Sequence, residues 1–210
     1  MPGLAVGERA PAFRLPSAQG PIVDLDEVRT QSHVILWFTK GLGCPFCRQQ
    51  MSHVVRSLPR FREVAAEPLV VTRSPLARAR MYARHFAIGL PYLCDEDSAV
   101  RRAYRLDVRP KPAHWYLRKL LRLCGASFPA NDYGPSGRLG NPARVRPSAS
   151  ELVATLADED TALFVIDKGG TVQLAKAGGM RANAGLGEVW QLPSIDEIVG
   201  VLRELRSSRR

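Results

Sequence analysis

The stretch His33-Val-Ile-Leu-Trp-Phe-Thr39 is the clearest strand in the chain. A continuous β-branched and aromatic run of this kind reads as a strand covered on both faces, because a strand with one wet face would alternate. Glycines at 41 and 43 then break the pattern, and a helix follows Cys44. Its apolar residues Met51, Val54, Val55 and Leu58 stand at i, i+3, i+4 and i+7. Pro45 suits the first helical position, where a missing N–H loses no partner, and Pro59 predicts a kink or end. A doubly covered strand that hands over to a helix belongs in a layered α/β architecture.

The neighbouring segments repeat the alternation. Pro21 to Leu25 reads as a short early strand and Pro68 to Thr72 as the next long one. Ser74-Pro75 opens a helix to about Phe86, with Leu76, Ala79, Ala83 and Phe86 on one face. Leu90 to Cys94 reads as a short strand, and Asp97 is placed to cap a helix from Ser98 to Arg105. After a different middle section, Leu163 to Ala175 reads as two strands around a Gly-Gly turn. Ser194 caps a last helix, Ile195 to Leu205, whose Ile198, Val201, Leu202 and Leu205 face the sheet. The middle section comprises a basic amphipathic helix, Ala113 to Cys124, with Leu117, Leu120, Leu121 and Cys124 as its apolar stripe. A Gly/Pro/Ser/Asn-rich loop, Gly125 to Ser150, follows, and Ser148-x-x-Glu151 forms a capping box for a short helix ending near Ala157. One domain over 1–210, with an insertion at about 108–158, accounts for the pattern.

The formal charge of +10 raises nucleic acid or an anionic membrane as partners. The basic residues are scattered singly between apolar positions, only Arg203 to Arg210 is a cluster, and no nucleic-acid module accompanies them. No apolar run approaches the roughly 18 residues that span a bilayer. The opening "MPGLAVGERAPAFRLP" lacks a basic segment followed by an apolar one, so a cytoplasmic, membrane-free and nucleic-acid-free protein is the expectation.

The chemistry concentrates in "GLGCPFCRQQM", Gly41 to Met51. Its two cysteines admit three readings: a redox pair, half of a metal site, or packing. At a helix start the unpaired N–H groups and the macrodipole favour a thiolate, which is how Cys-x-x-Cys lowers its first pKa. A thiol near 8.5 is only a few per cent ionised at neutral pH, whereas one near 7 is about half ionised. At roughly 100° per residue Cys47 shares the stripe of Met51, Val54 and Leu58 and is expected to be buried, leaving Cys44 as the sulfur that meets solvent. Cys44 is thus the expected nucleophile and Cys47 the resolving thiol. Lys40 and Arg48 would reinforce the thiolate if they point inward. A structural zinc needs four ligands, whereas Cys94 and Cys124 are isolated and His53 falls on the far side of the helix. Packing fits less well with glycines before the pair and a proline within it. Cys94 and Cys124 read as inert core thiols, with Cys124 a secondary resolving option beside the loop. His33 and His85 flank apolar segments and read as structural, and no role is assigned to His114 and Trp115.

Four pieces, in order, resemble the AhpC/TSA group of peroxiredoxin-like proteins: "VGERAPAFRLPSAQGPIVDL", "ILWFTKGLGCPFCRQQM", "PYLCDEDSAVRRAYRL" and "LFVIDKGGTVQLA". The resemblance runs from Val6 to about Ala175, with the basic helix and loop inserted. It implies a thioredoxin-like fold: a central mixed β-sheet flanked by helices, the redox pair at the start of the first long helix, and the insertion ahead of the C-terminal hairpin. It also implies a thiol-disulfide oxidoreductase cycling between a Cys44/Cys47 dithiol and disulfide, supported by Thr39, Lys40, Gly43, Pro45 and Arg48. No metal or cofactor is expected. The partners would be a dithiol reductant of the thioredoxin type and, as substrate, a peroxide or a protein disulfide; homodimerisation stays open.

The chain also departs from that pattern. Peroxidatic relatives carry P-x-x-x-T-x-x-C, whereas here Trp37 and Gly41 occupy the proline and threonine positions, with Thr39 out of register. The family's arginine ahead of "FVID" is replaced by Asp160-Thr161-Ala162-Leu163. The residues that usually polarise the O–O bond are therefore missing from their places. A redox-sensing or protein-interaction module, docking a partner through the Arg-rich helix and loop, is the alternative.

Overall fold

The structure is a computed structural model that describes residues 3–41, 44–86, 88–106, 161–178 and 193–207. It also describes positions 114 and 117 and the backbone of 108–109, 127–128, 137–138 and 158–159. A short antiparallel pair, β1 (Arg14–Pro16) and β2 (Ile22–Asp24), leads into helix α1 (Leu25–Gln31). The elements β3 (His33–Phe38), α2 (Pro45–Arg56), α3 (Leu58–Glu63), β4 (Ala66–Thr72), α4 (Leu76–Phe86), β5 (Tyr92–Cys94) and α5 (Ala99–Ala103) follow. Then come the two-residue strands β6 (Val108–Arg109), β7 (Ser127–Phe128), β8 (Gly137–Arg138) and β9 (Asp158–Glu159). The hairpin strands β10 (Thr161–Ile166) and β11 (Val172–Gly178) and helix α6 (Ile195–Ser207) close the sequence of elements.

The central sheet has five strands in the order β11-β10-β3-β4-β5. The strands β3, β4 and β5 run parallel, while β10 is antiparallel to both β3 and β11, so the sheet is mixed as expected. All six residues of β3 are buried, which is what its unbroken apolar run requires. Alternate residues feed two cores. Ile35 and Trp37 pack with Met51, Val54, Tyr82, Ile198 and Leu202 on the face covered by α2, α4 and α6. Val34, Leu36 and Phe38 pack with Phe13, Leu25, Tyr104 and Leu106 on the other. Each such side chain, fully buried, contributes about 1.5–3 kcal/mol.

Boundaries shift where local chemistry intervenes. Pro59 opens a separate helix, α3, rather than merely ending α2, because a proline in the first turn forfeits no hydrogen bond. Pro68 pairs with Ile35 inside the sheet, in the part of β4 that precedes its pairing with β5 at Val70. Asp97 accepts the Ala99 N–H at 3.0 Å, but the Asp95 carboxylate accepts two, from Val100 at 3.1 Å and Arg101 at 2.8 Å, and is the stronger cap of α5. Ser194 Oγ accepts the Glu197 N–H at 3.0 Å, as its position before α6 predicts. In the 167–171 turn, Asp167 accepts the Thr171 N–H at 2.9 Å and Gly170 takes φ +86°.

The helix expected at Ala113 to Cys124 and the capping box at Ser148 lie outside the described residues, except for helical His114 and Leu117. Leu117 is 57% exposed, so it does not line a buried stripe. Within the Gly/Pro-rich loop, β7 pairs antiparallel with β8. The ends of the 108–158 segment lie side by side through β6 and β9. Among the described residues no helix is long and apolar enough to cross a membrane.

Candidate active site

The site begins at a turn. After β3, Thr39 donates its N–H to Val71 at 2.9 Å and remains in register with β4. Gly41 then takes φ +89°, a left-handed conformation that glycine tolerates best. A Cβ built there would lie 2.8 Å from Ser74 Oγ, 2.9 Å from Thr72 Oγ1 and 3.3 Å from Tyr92 Oη. The backbone is thereby tucked against the carboxyl end of β4 and the Tyr92 side chain of β5, on the edge of such sheets where ligand crevices usually lie. The Gly41 carbonyl accepts the Cys44 N–H at 3.1 Å, which fixes the start of α2. Cys44 is the N-cap, with extended φ/ψ and no capping hydrogen bond from its side chain; Pro45 is among the first helical residues, and the first turn carries no acidic residue. The macrodipole at this end favours negative charge.

Cys44 and Cys47 are brought together as reduced thiols that hydrogen-bond each other. Cys47 is 4% exposed, as the helical stripe predicts. Cys44 is 5% exposed, which corrects the expectation that its sulfur meets solvent: the Gly41 turn folds the helix start inward. The Cys47 thiol is pushed well above the ordinary range, first by its hydrogen bond with Cys44, then by burial and by charge on Cys44. Donation from the Thr39 hydroxyl and the Lys40 N–H opposes that rise. Within the pair, Cys47 is therefore the sulfur that its neighbour and its burial keep protonated.

A cation completes the site. Arg48, one helical turn beyond Cys44, is 6% exposed, and its N–H donates to the Cys44 carbonyl at 3.1 Å. Burial lowers its pKa, while charge on Cys44, then Tyr82, then Cys47 holds it up, so the guanidinium lies within electrostatic reach of both sulfurs. A positive group thus stands beside the pair although the position ahead of β10 carries none. Lys40 is partly buried and its backbone reaches Cys47; Gly43 and the Pro45 side chain lie outside the described residues.

Other expected residues separate from the site. Cys94 is buried in β5 and pushed up to about 12 by burial, with Glu96 adding and Arg80 opposing, so it remains a protonated core thiol. His53 is exposed on α2 and His33 is buried in β3, while Cys124 is outside the described residues. Among the described residues no group of three His, Cys, Asp or Glu side chains converges. The hydroxyl of Thr39, named from the sequence though out of register for Cys44, donates to Cys47. One feature escaped the sequence. Arg101, on α5, is 1% exposed and donates from Nη2 to the Thr39 carbonyl at 3.2 Å. Its spacing three residues before buried Tyr104, on the same helix face, was the available signal.

Comparison with known proteins follows the same line. A family model described as the AhpC/TSA family matches residues 6–122. No curated protein matches the sequence. Among solved structures, the chain is similar to the peroxidoxin BcpB of Mycobacterium tuberculosis, with a TM-score of 0.57 at 16% identity over 98% of each chain. It is similar to peroxiredoxin Q of Xanthomonas campestris, with 0.56 at 15% identity over 94% of this chain and 92% of that one. The reduced 2-Cys peroxiredoxin of Plasmodium vivax gives 0.57 at 15% identity over 97% and 83%. At these identities the likeness speaks for the fold.

Proposed function

The chain belongs to the AhpC/TSA family and is a peroxiredoxin-like thiol oxidoreductase; within that activity, we propose that Cys44 and Cys47 are its redox pair and that its oxidant is a peroxide. The Cys44 thiolate attacks one peroxide oxygen: an S–O bond forms, the O–O bond breaks, and the departing oxygen takes up a proton to leave as water or an alcohol. The Cys44 sulfenic acid is then attacked by Cys47. The S–S bond forms, the S–O bond breaks, and hydroxide leaves with the proton that Cys47 gave up. A dithiol of the thioredoxin type restores the pair by exchange through a mixed disulfide.

The observation that carries this reading is the meeting of two reduced, buried, mutually hydrogen-bonded thiols in the first turn of α2 with Arg48 beside them. With Trp37 and Gly41 at the usual anchor positions, Arg48 is the group at hand to offset charge on the departing oxygen. Burial of both sulfurs favours a small oxidant over a protein disulfide in this state.

The test is single-turnover oxidation with one equivalent of hydrogen peroxide, followed by mass spectrometry and turnover with a thioredoxin system. The expected product is an intramolecular Cys44–Cys47 disulfide, replaced by a persistent sulfenic acid in Cys47→Ser and by no reaction in Cys44→Ser. Full turnover in Cys44→Ser would refute the assignment. A reversible disulfide without turnover would favour a sensor.

A further inference from the structure

Resting on that reading, we propose that Arg101 is a positioning residue for the resolving step: from α5 its buried guanidinium holds the Thr39 carbonyl, and so keeps the Thr39 hydroxyl on the sulfur of Cys47. The contacts form a continuous chain. Arg101 donates from Nη2 to the Thr39 carbonyl at 3.2 Å, and its guanidinium carbon lies 5.7 Å from the centre of the Phe38 ring, over the residue that ends β3. The helix that carries it is anchored in turn, because Asp95 accepts the backbone N–H groups of both Val100 and Arg101. Thr39 is fully buried, and its Oγ1 accepts the Gly41 N–H at 3.3 Å. That bond uses one of the oxygen's two acceptor positions, and the O–H donates to Cys47. The Lys40 N–H donates to the same sulfur.

Cys47 therefore sits in a cradle of one hydroxyl and one amide, both from the two residues that follow β3. This serves a particular moment. To close the disulfide, Cys47 must give up its proton inside a buried site and bear negative charge until the S–S bond forms and hydroxide leaves Cys44. Donors already aimed at that sulfur stabilise the transient thiolate without reorganising. Their aim depends on the turn from Thr39 to Gly41. A charged guanidinium fixed on the Thr39 carbonyl, out of reach of water, is a strong and directional way to hold it.

The experiment follows the two steps separately. Reduced wild type, Arg101→Met, Arg101→Lys, Thr39→Val and the Arg101→Met/Thr39→Val double variant are mixed with hydrogen peroxide. Each reaction is quenched at intervals with a sulfenic-acid reagent and a thiol alkylator and read by mass spectrometry. Arg102→Met, an exposed neighbour on the same helix, is the control. Formation of the Cys44 sulfenic acid is expected to stay within about twofold of wild type in Arg101→Met, Arg101→Lys and the Arg102→Met control. Disulfide closure is expected to fall about tenfold in both Arg101→Met and Thr39→Val, so that sulfenic acid accumulates. The double variant should lose no more than either single change, because both act through one contact. Arg101→Lys, able to keep one N–H···O bond, should recover most of the closure rate. Wild-type closure in folded Arg101→Met, or additive losses in the double variant, would overturn the proposal. If Arg101→Met does not fold, Arg101→Lys together with Thr39→Val decides: wild-type closure in Thr39→Val removes the cradle's role. A small aromatic disulfide in place of peroxide gives a Cys44 mixed disulfide and the same closing attack by Cys47. Inertness to peroxide alone would thus refute the peroxidase reading while the Arg101 comparison still reports.

Discussion

Replacing Gly41 by alanine probes the turn on which both sulfurs depend. At φ +89° an L side chain meets its own backbone, a cost of about 1–2 kcal/mol. The added methyl would also stand 2.8 Å from Ser74 Oγ and 2.9 Å from Thr72 Oγ1, closer than real contacts allow. These hydroxyls are buried and 3.1 Å from each other, so they have little room to retreat, and overpacking of this kind costs about 1–3 kcal/mol. Against this stands a gain of about 0.4–1 kcal/mol from the stiffer unfolded chain. The net expectation is a loss of about 2–4 kcal/mol, a large part of a typical stability of 5–15 kcal/mol. At about 2–4 °C per kcal/mol for a chain of this size, the melting midpoint falls by roughly 5–15 °C. Because the Gly41 carbonyl anchors the Cys44 N–H, alkylation of Cys44 by iodoacetamide in the folded variant should change as well. Thermal melts of the reduced protein and timed alkylation with peptide mapping measure both. A melting point within about 2 °C of wild type, with unchanged alkylation, would refute the reasoning.

Three further outcomes are expected. Arg48→Met removes the cation beside Cys44 and should slow alkylation of Cys44 at pH 7 by about three- to tenfold with a small change in melting point; an unchanged rate would show that the guanidinium does not act on the sulfur. Cys94, whose thiol is pushed up to about 12, binds its proton more tightly folded than unfolded. Its contribution is therefore complete below about pH 8.5 and declines as pH rises towards the folded value, by up to about 1.4 kcal/mol per unit. Urea midpoints at pH 8, 9 and 10 should fall less steeply in Cys94→Ala, and parallel slopes would contradict this. Asp95→Ala frees two N–H groups of α5 and should cost about 2 kcal/mol in chemical denaturation, more than Asp97→Ala, which frees one.

Much of the architecture was legible because it is written in period and punctuation. The run from His33 to Thr39, the helical spacing from Cys44 to Val55, the Gly-Gly turn and the Ser194 cap each act within a few residues, and each is found where the sequence puts it. The placing of Cys47 under α2 follows from the same spacing. What sequence could not supply was the third dimension of the β3–α2 turn. Cys44 reads as exposed because helix starts often are, yet it is buried, three residues after a left-handed Gly41 that lies against Thr72, Ser74 and Tyr92. Thr39 reads as misplaced because the familiar spacing is counted from Cys44, whereas its hydroxyl belongs to Cys47. Arg48 is marked by its place just after the pair, though not its inward direction, whereas Arg101 looks like an ordinary member of a scattered basic set. Their burial, at 6% and 1% exposure, distinguishes both from the solvated majority.

Trp37 has one property with practical weight. Its indole is 2% exposed, belongs to the same core as Met51 and Val54 of α2, and finds no acceptor for its N–H among the described residues. An indole in so dry a setting emits at short wavelength and responds to any displacement of the helix packed on it. The protein thus carries a buried indole against the very helix that bears the thiols, and with Trp115 and Trp190 replaced by phenylalanine, repacking of α2 would register in its colour before any label was attached.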